Sequence, residues 1–248
     1  MRRFFSEDIT AGAESVRISG DEFTHLKRVL RLKQGDDLAV FDGKGLEVQG
    51  RITAMEAGCA IVSVEGTAYG RLESPRAIRL LQGLLKSDKP EFVIQKATEL
   101  GAATITFFTT SRTIPISNGS KTKWTRWRKA AIEAAKQCGR TRLPELTPVA
   151  AFKDAVMGCT EGIRLILWEG TGKTISIKEA LKNADLDSAI VVAVGPEGGF
   201  SVEDVAAAEK AGFVAVSIGP RILRAETAAL AAIAIIQYET GDLREPIG

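Results

Sequence analysis

The chain has 248 residues, 45% of them apolar, and a formal net charge of +2. That is enough for two modest domains or one large one, each with its own core. The cysteines Cys59, Cys138 and Cys159 form no CxxC pair, which argues against disulfides or zinc and for a reducing compartment. No apolar run follows "MRRFFSEDIT" as a signal peptide would require, and none approaches the ~18 residues of a membrane span. A soluble cytoplasmic protein without metal is expected.

Up to about Arg71 the chain reads as short strands and turns. "SVRIS", "DDLAVFDG", "LEVQGRITAM" and "CAIVSVEG" alternate apolar with polar residues between glycines, as half-buried strands do. "DEFTHLKRVLR" interrupts them as a short helix with Asp21 as its expected N-cap. The single histidine, His25, falls in this helix and is read as structural or exposed. These elements predict a small β-barrel of about 70 residues.

After "RLESPR" strand-length apolar runs alternate with helical segments. "AIRLLQGLL" precedes "PEFVIQKATELG", and "TITFFT" precedes "WTRWRKAAIEAAKQCG". "IRLILW" is followed by "ISIKEALKNA", "AIVVAV" by "SVEDVAAAEKAG", and "FVAVSI" by "AETAALAAIAIIQYE". Nearly continuous β-branched strands followed by helices predict a parallel sheet covered on both faces. Ligands of such sheets bind beyond the carboxyl ends of the strands.

Charge is unevenly distributed. Residues 121–142 hold eight cations (Lys121, Lys123, Arg126, Arg128, Lys129, Lys136, Arg140, Arg142) against one acid, Glu133, with Trp124 and Trp127 interleaved. This is either a solvated helix face or a phosphate-binding surface.

Two strand ends are unusual. "GPEGGF" (195–200) leaves a buried strand; its glycines permit close backbone approach, and Ser201 with Asp204 forms a capping box for the next helix. A tight turn explains the glycines and the proline but not Glu197. "GPRILRAETAALAAIA" (219–234) sets Arg221 and Arg224 before an apolar helix, where the positive end of the dipole opposes cations by about 0.3 to 1 kcal/mol each. "EGTGKT" fails as a P-loop, because Leu167 stands where that motif needs glycine. No GxGxxG follows the first strand of this half, and no HExxH or serine-elbow motif appears. Transfer from an already activated sulfonium donor fits a site lacking metal and histidine.

"GPEGGF", "IGPRILRAETA" (218–228), "QKATELG" (95–101) and "EAAKQCGRTRLP" (133–144) resemble the RsmE family, as do "RRFF" and "HLKRVLRLKQGD". The resemblance runs end to end. It implies an α/β protein with a PUA-like N-terminal RNA-binding β-barrel at 1–72. A SPOUT methyltransferase domain with a C-terminal trefoil knot would fill 73–248. It further implies a homodimer that methylates N3 of a uridine in 16S rRNA, at position 1498, on the 30S subunit.

S-adenosylmethionine would lie against Leu167, Glu169, Gly170, Val194, Gly195, Pro196, Gly198, Gly199, Ile218, Gly219, Ile222, Leu223, Thr227 and Ala228. Arg221, Arg224 and Glu197 become the catalytic candidates. Arg2, Arg3, Lys27, Arg28, Arg31, Arg112, Arg126 and Arg140 become RNA contacts. The helix from Ala225 to Tyr238 is expected to be buried on every side, against the knot and the partner subunit. Two alternatives stay open: a SPOUT enzyme with another RNA target or 2′-oxygen specificity, and a non-catalytic ribosome-assembly module. A third reading has Glu169, Glu197 or Glu226 neutralising both arginines.

Overall fold

The computed structural model describes residues 1–70, 72–113, 121–170, 172–182, 187–240 and 242–243, apart from the Lys121 side chain. Most of the segment 110–119 therefore lies outside the described residues. Two compact units are formed: Met1–Glu73 with Ile132–Leu143, and Ser74–Ala131 with Pro144–Gly248. The contiguous division expected at residue 72 misses the segment Ile132–Leu143, which carries the last part of helix α3 (Lys121–Cys138).

Ion pairs explain that membership. The Arg3 guanidinium donates to the carbonyl oxygens of Ala135 (2.6 Å) and Arg140 (2.9 Å) and pairs with Glu47 at 2.7 Å. Lys136 pairs with Glu22 at 3.0 Å, and Arg140 with Glu73 at 2.9 Å. Glu73 also accepts from the backbone N–H groups of Thr141 and Arg142. Arg3 and Arg140, expected to touch RNA, are thus internal braces; the Arg140 side chain is only 6% exposed. A guanidinium already desolvated against a carboxylate and two carbonyls has few donors left for phosphate.

The first unit holds strands β1 (Arg2–Phe5), β2 (Ser15–Ser19), β3 (Asp37–Phe41), β4 (Leu46–Glu56) and β5 (Cys59–Tyr69), in the order β1-β3-β4-β5-β2. Phe4, Ile18, Leu38, Val40 and Val62 alternate inward to make its core. Gly50 is needed where β4 bulges, because a Cβ there would stand 1.9 Å from the Ser63 carbonyl oxygen. Helix α1 (Gly20–Thr24) continues as a π-helical turn, His25–Val29. Ser19, not Asp21, occupies its N-cap, and Asp21 lies in the first turn. Ser19 makes no side-chain capping bond; Gly20, with φ +62°, opens the helix. His25 sits edge-on to Phe4 at 6.5 Å, as packing.

The second unit contains β6 (Ile78–Gly83), α2 (Lys89–Glu99), β7 (Ala102–Thr109), the start of α3, β8 (Glu145–Ala151), α4 (Phe152–Met157) and β9 (Ile163–Leu167). It continues with β10 (Ile175–Ser176), α5 (Ile177–Leu181), β11 (Ile190–Val194), α6 (Val202–Lys210), β12 (Val214–Ser217) and α7 (Ala225–Thr240). The seven strands run parallel in the order β10-β12-β9-β11-β6-β7-β8. Ile190, Val192 and Val194 of β11 face the core under α2, α3, α5 and α7; Val191 and Ala193 face the core under α4 and α6. A strand buried on both faces must be apolar throughout, which is why β11 reads as "IVVAV".

Trp127, although set within the basic run, is a core side chain: it is 1% exposed, 4.5 Å from the Phe107 ring, with the Lys123 ammonium 4.7 Å over its face. Within one chain helix α7 is buried on its inner face and half-buried on its outer one. Ala225, Ala228, Ala229, Ala232, Ile233 and Ile236 face the core, while Leu230, Ala231, Ala234 and Ile235 are half-buried and Tyr238 is 53% exposed. Small alanines dominate the inner face, and the outer apolar stripe is only half-buried within one chain.

Replacing Arg140 with alanine leaves the Glu73 carboxylate buried without its cation. The expected cost is about 3 kcal/mol, measured by urea unfolding.

Candidate active site

β12, β9, β11 and β6 are neighbours, so their C-terminal ends release four chain segments onto one rim of the sheet. These segments enclose a cavity of about 660 Å³, within the usual size of a small-molecule site. Val194 ends β11 opposite Gln82 of β6. The Gln82 amide nitrogen, fully buried, donates to the carbonyl oxygens of Gly83 (3.1 Å) and Gly195 (3.3 Å). Gly83 has no Cβ where Pro196 presses in. One there would stand 2.2 Å from the proline nitrogen.

The segment after β11 turns tightly, with the Gly199 N–H donating to the Pro196 carbonyl oxygen at 2.9 Å. Gly199 holds φ at +67°, a left-handed conformation that favours glycine. Ser201 and Asp204 form the capping box of α6 in both directions, as expected. Arg112, expected on RNA, is exposed and donates from Nη1 to the carbonyl oxygens of Gly198 (3.3 Å) and Phe200 (3.2 Å). It braces this turn.

After β9, Trp168 and Glu169 enter the cavity wall. The Trp168 ring packs so closely on the next residues that a Cβ at Gly170 would meet it at 2.3 Å. Glu169 accepts the Leu223 N–H at 3.3 Å, so that donor is not offered to the cavity. After β12, Gly219 takes φ +128°, and α7 begins with the Ala228 N–H donating to the Arg224 carbonyl oxygen at 2.8 Å.

Arg221, Arg224 and Glu197 all line the cavity. Among the described residues neither arginine pairs with a carboxylate, so the reading in which Glu169, Glu197 or Glu226 neutralises them fails. Those carboxylates are engaged elsewhere. Lys89 Nζ lies 3.4 Å from Glu197 Oε1 and 3.3 Å from Glu226 Oε1, and the Lys86 N–H donates to Glu197 Oε1 at 3.2 Å. Burial pushes the Glu197 carboxyl up, but the backbone N–H groups of Lys86 and Glu197 together with Lys89 outweigh it. They hold the carboxyl below the usual carboxylate range.

Of the residues expected to hold a donor, Thr227 alone does not line the cavity; it is exposed on α7. Trp168 and Ala225 fall within the expected stretches 167–170 and 218–228; sequence reasoning missed Lys89, Phe200, Val216 and Ser217. Lys89 had no local signal, because the sequence pattern begins this helix at Pro90 and its carboxylate partners are distant in the chain. Among the described residues no three His, Cys, Asp or Glu side chains gather as a metal site, and no helix is long and apolar enough to cross a membrane.

Comparison with known proteins identifies the family. Residues 72–237 match the RNA methyltransferase domain and residues 18–65 the RNA methyltransferase PUA domain. The ribosomal RNA small subunit methyltransferase E of Bacillus subtilis (strain 168) is 30% identical over 98% of this chain and 99% of its own. The chain belongs to the ribosomal RNA small subunit methyltransferase E family. The enzyme of that name from Synechocystis sp. is 34% identical, covering 90% of this chain and 72% of its own. The Neisseria gonorrhoeae member was crystallised with S-adenosyl methionine. It shares 33% identity at a TM-score of 0.85, covering 96% of this chain and 97% of that one. As a family member, the protein has a mixed α/β fold: a PUA-like N-terminal domain and a parallel-sheet methyltransferase domain of SPOUT type.

Gly83→Ala should displace the turn after β11, because its Cβ meets backbone rather than a flexible side chain. A loss of about 1–3 kcal/mol in thermal unfolding is expected, with faster amide exchange at residues 195–199.

Proposed function

We propose that this methyltransferase moves a methyl group from S-adenosylmethionine to N3 of a uridine in 16S rRNA, uridine 1498, on the assembled small subunit. The observation that carries the reading is the pair of guanidinium groups, Arg221 and Arg224, lining a glycine-walled cavity without carboxylate partners among the described residues. Its donor set fits an adenosyl sulfonium. Leu167, Val194, Val216, Leu223 and Ala228 offer an apolar bed, and Gly195, Gly198, Gly199 and Gly219 bring backbone to the wall. At Gly199 and Gly219 open space lies where a side chain would project. Glu169, Gly170, Pro196, Ile218 and Ile222 complete the lining.

When bound, S-adenosylmethionine supplies an activated methyl group. The chain's own residues prepare the acceptor. Uridine N3 carries a proton at neutral pH, and Glu197, held ionised, takes it. Its Oε1 is occupied by Lys86 and Lys89, which leaves Oε2 for the proton. Arg221 and Arg224 stabilise the negative charge that develops on the flanking carbonyl oxygens, a preorganised effect of several kcal/mol.

Exposed cations of the first unit, Arg2, Lys27, Arg28 and Arg31, would hold the RNA backbone; Arg126, 59% exposed although paired with Glu91, could exchange that partner for phosphate. The half-buried outer stripe of α7 supports a homodimer with that helix at its centre. The meeting of the β9, β11 and β12 segments at one cavity supports the knotted SPOUT topology. Ribosomal RNA as substrate implies the cytoplasm.

Arg221→Ala and Arg224→Ala are each expected to lower kcat by about 100-fold or more while leaving S-adenosylmethionine affinity within about threefold, a free-energy difference under 1 kcal/mol. Calorimetry and labelled-methyl transfer to 30S subunits measure the two; equal losses in both would assign these side chains to the donor. Mass spectrometry of the product that located the methyl on any atom other than uridine N3 would overturn the acceptor.

A further inference from the structure

Lys89 is the first residue of α2, where the positive end of a helix opposes a cation. It is also a wall residue of the cavity, 30% exposed, not a surface lysine turned to solvent. Its ammonium contacts carboxylates from two other elements: Glu197 in the turn after β11 and Glu226 in the first turn of α7. Glu226 is 13% exposed, and its Oε2 is buried without a hydrogen-bond partner among the described residues. A carboxylate so placed needs a cation, and Lys89 supplies it. Three segments of the cavity rim therefore meet at one Nζ atom.

We infer that Lys89 is a positioning residue of the methyl transfer, a three-way latch that anchors on Glu226 and presents the Glu197 carboxylate to the acceptor nitrogen. The inference rests on the function proposed above. The Lys86 N–H fixes the same Glu197 oxygen from the same segment, so the carboxylate is held at two points and its second oxygen is aimed by default. The charged groups around Glu197 are Lys89 on α2, Glu226 on α7, and Arg221, Arg224 and Glu169 on the cavity wall. Of these, Lys89 is the cation in contact with the carboxylate; the arginines keep their donors for substrate. Arg221 and Arg224 then handle developing negative charge, while Lys89 governs where, and at what pH, the proton is received.

The sign follows from charge. Removing a cation beside a carboxylate favours its protonated form, so the base is lost at higher pH. The test is a carbon-13 NMR titration of the Glu197 carboxyl in the full-length protein without cofactor, for wild type, Lys89→Met and Lys89→Arg. It is paired with the pH profile of methyl transfer to 30S subunits. In Lys89→Met the titration midpoint rises and the acidic limb of kcat rises with it. Turnover at neutral pH falls by about 10- to 100-fold, the usual cost of a misplaced reacting group, with S-adenosylmethionine affinity retained. Lys89→Arg restores both curves. A midpoint unchanged in Lys89→Met overturns the inference, as does a loss of cofactor affinity equal to the loss of turnover. Should Lys89→Met not fold, Lys89→Gln is read by the same titration. If wild type leaves rRNA unmethylated, the functional reading fails separately, and the NMR titration alone judges the latch.

Discussion

β11 carries five apolar residues, and burying all of them on both faces locks it between β9 and β6 in a fixed register. That register sets Val194 beside Gln82 and so brings the turn after β11 down onto Gly83, where only a missing Cβ leaves room. The positions of Glu197, of the glycines facing the cavity and of the chain that wraps back from β12 all inherit from it. Polar chemistry at the rim is thus set by apolar packing beneath it. The strand can tolerate no slip, because a one-residue shift would exchange its two faces.

Cations stand at two helix starts near this rim, and they are treated differently. Lys89 is matched by Glu197 and Glu226, while Arg221 and Arg224 stay unmatched among the described residues. A protein that spends its nearby carboxylates on a lysine, and leaves two guanidinium groups unsatisfied against a helix dipole, is arranged for an anion that arrives from outside. The same sorting separates the first unit's arginines. Arg3 and Arg140 are consumed internally, whereas Arg2, Lys27, Arg28 and Arg31 remain at the surface.

The strands of the second unit were legible because parallel-sheet strands must be apolar, and "IVVAV" or "IRLIL" leaves little choice. β8 escaped because it lies at the sheet edge, largely exposed, with Pro148 inside it. Cavity residues that belong to glycine-rich turns could be found by motif. Lys89 could not be assigned, since its partners stand more than a hundred residues away and only folding unites them. Arg3 and Arg140 meet a related limit: local charge density reports how many cations a segment has, not whether a distant carboxylate or carbonyl will claim them. Trp127 shows the same limit, being both part of a basic run and a core side chain.

The assignment of Ile132–Leu143 to the first unit bears on how the chain is made. Glu47 and Glu73 emerge from synthesis early, yet Arg140 and the Ala135 carbonyl that receives Arg3 come much later. A nascent chain that has made Glu73 but not yet Arg140 lacks that carboxylate's counter-ion. It must wait for α3 before this region can close. Domains that fold vectorially from the N-terminus ordinarily complete themselves in order; here the first to begin is obliged to finish after part of the second has already been synthesised.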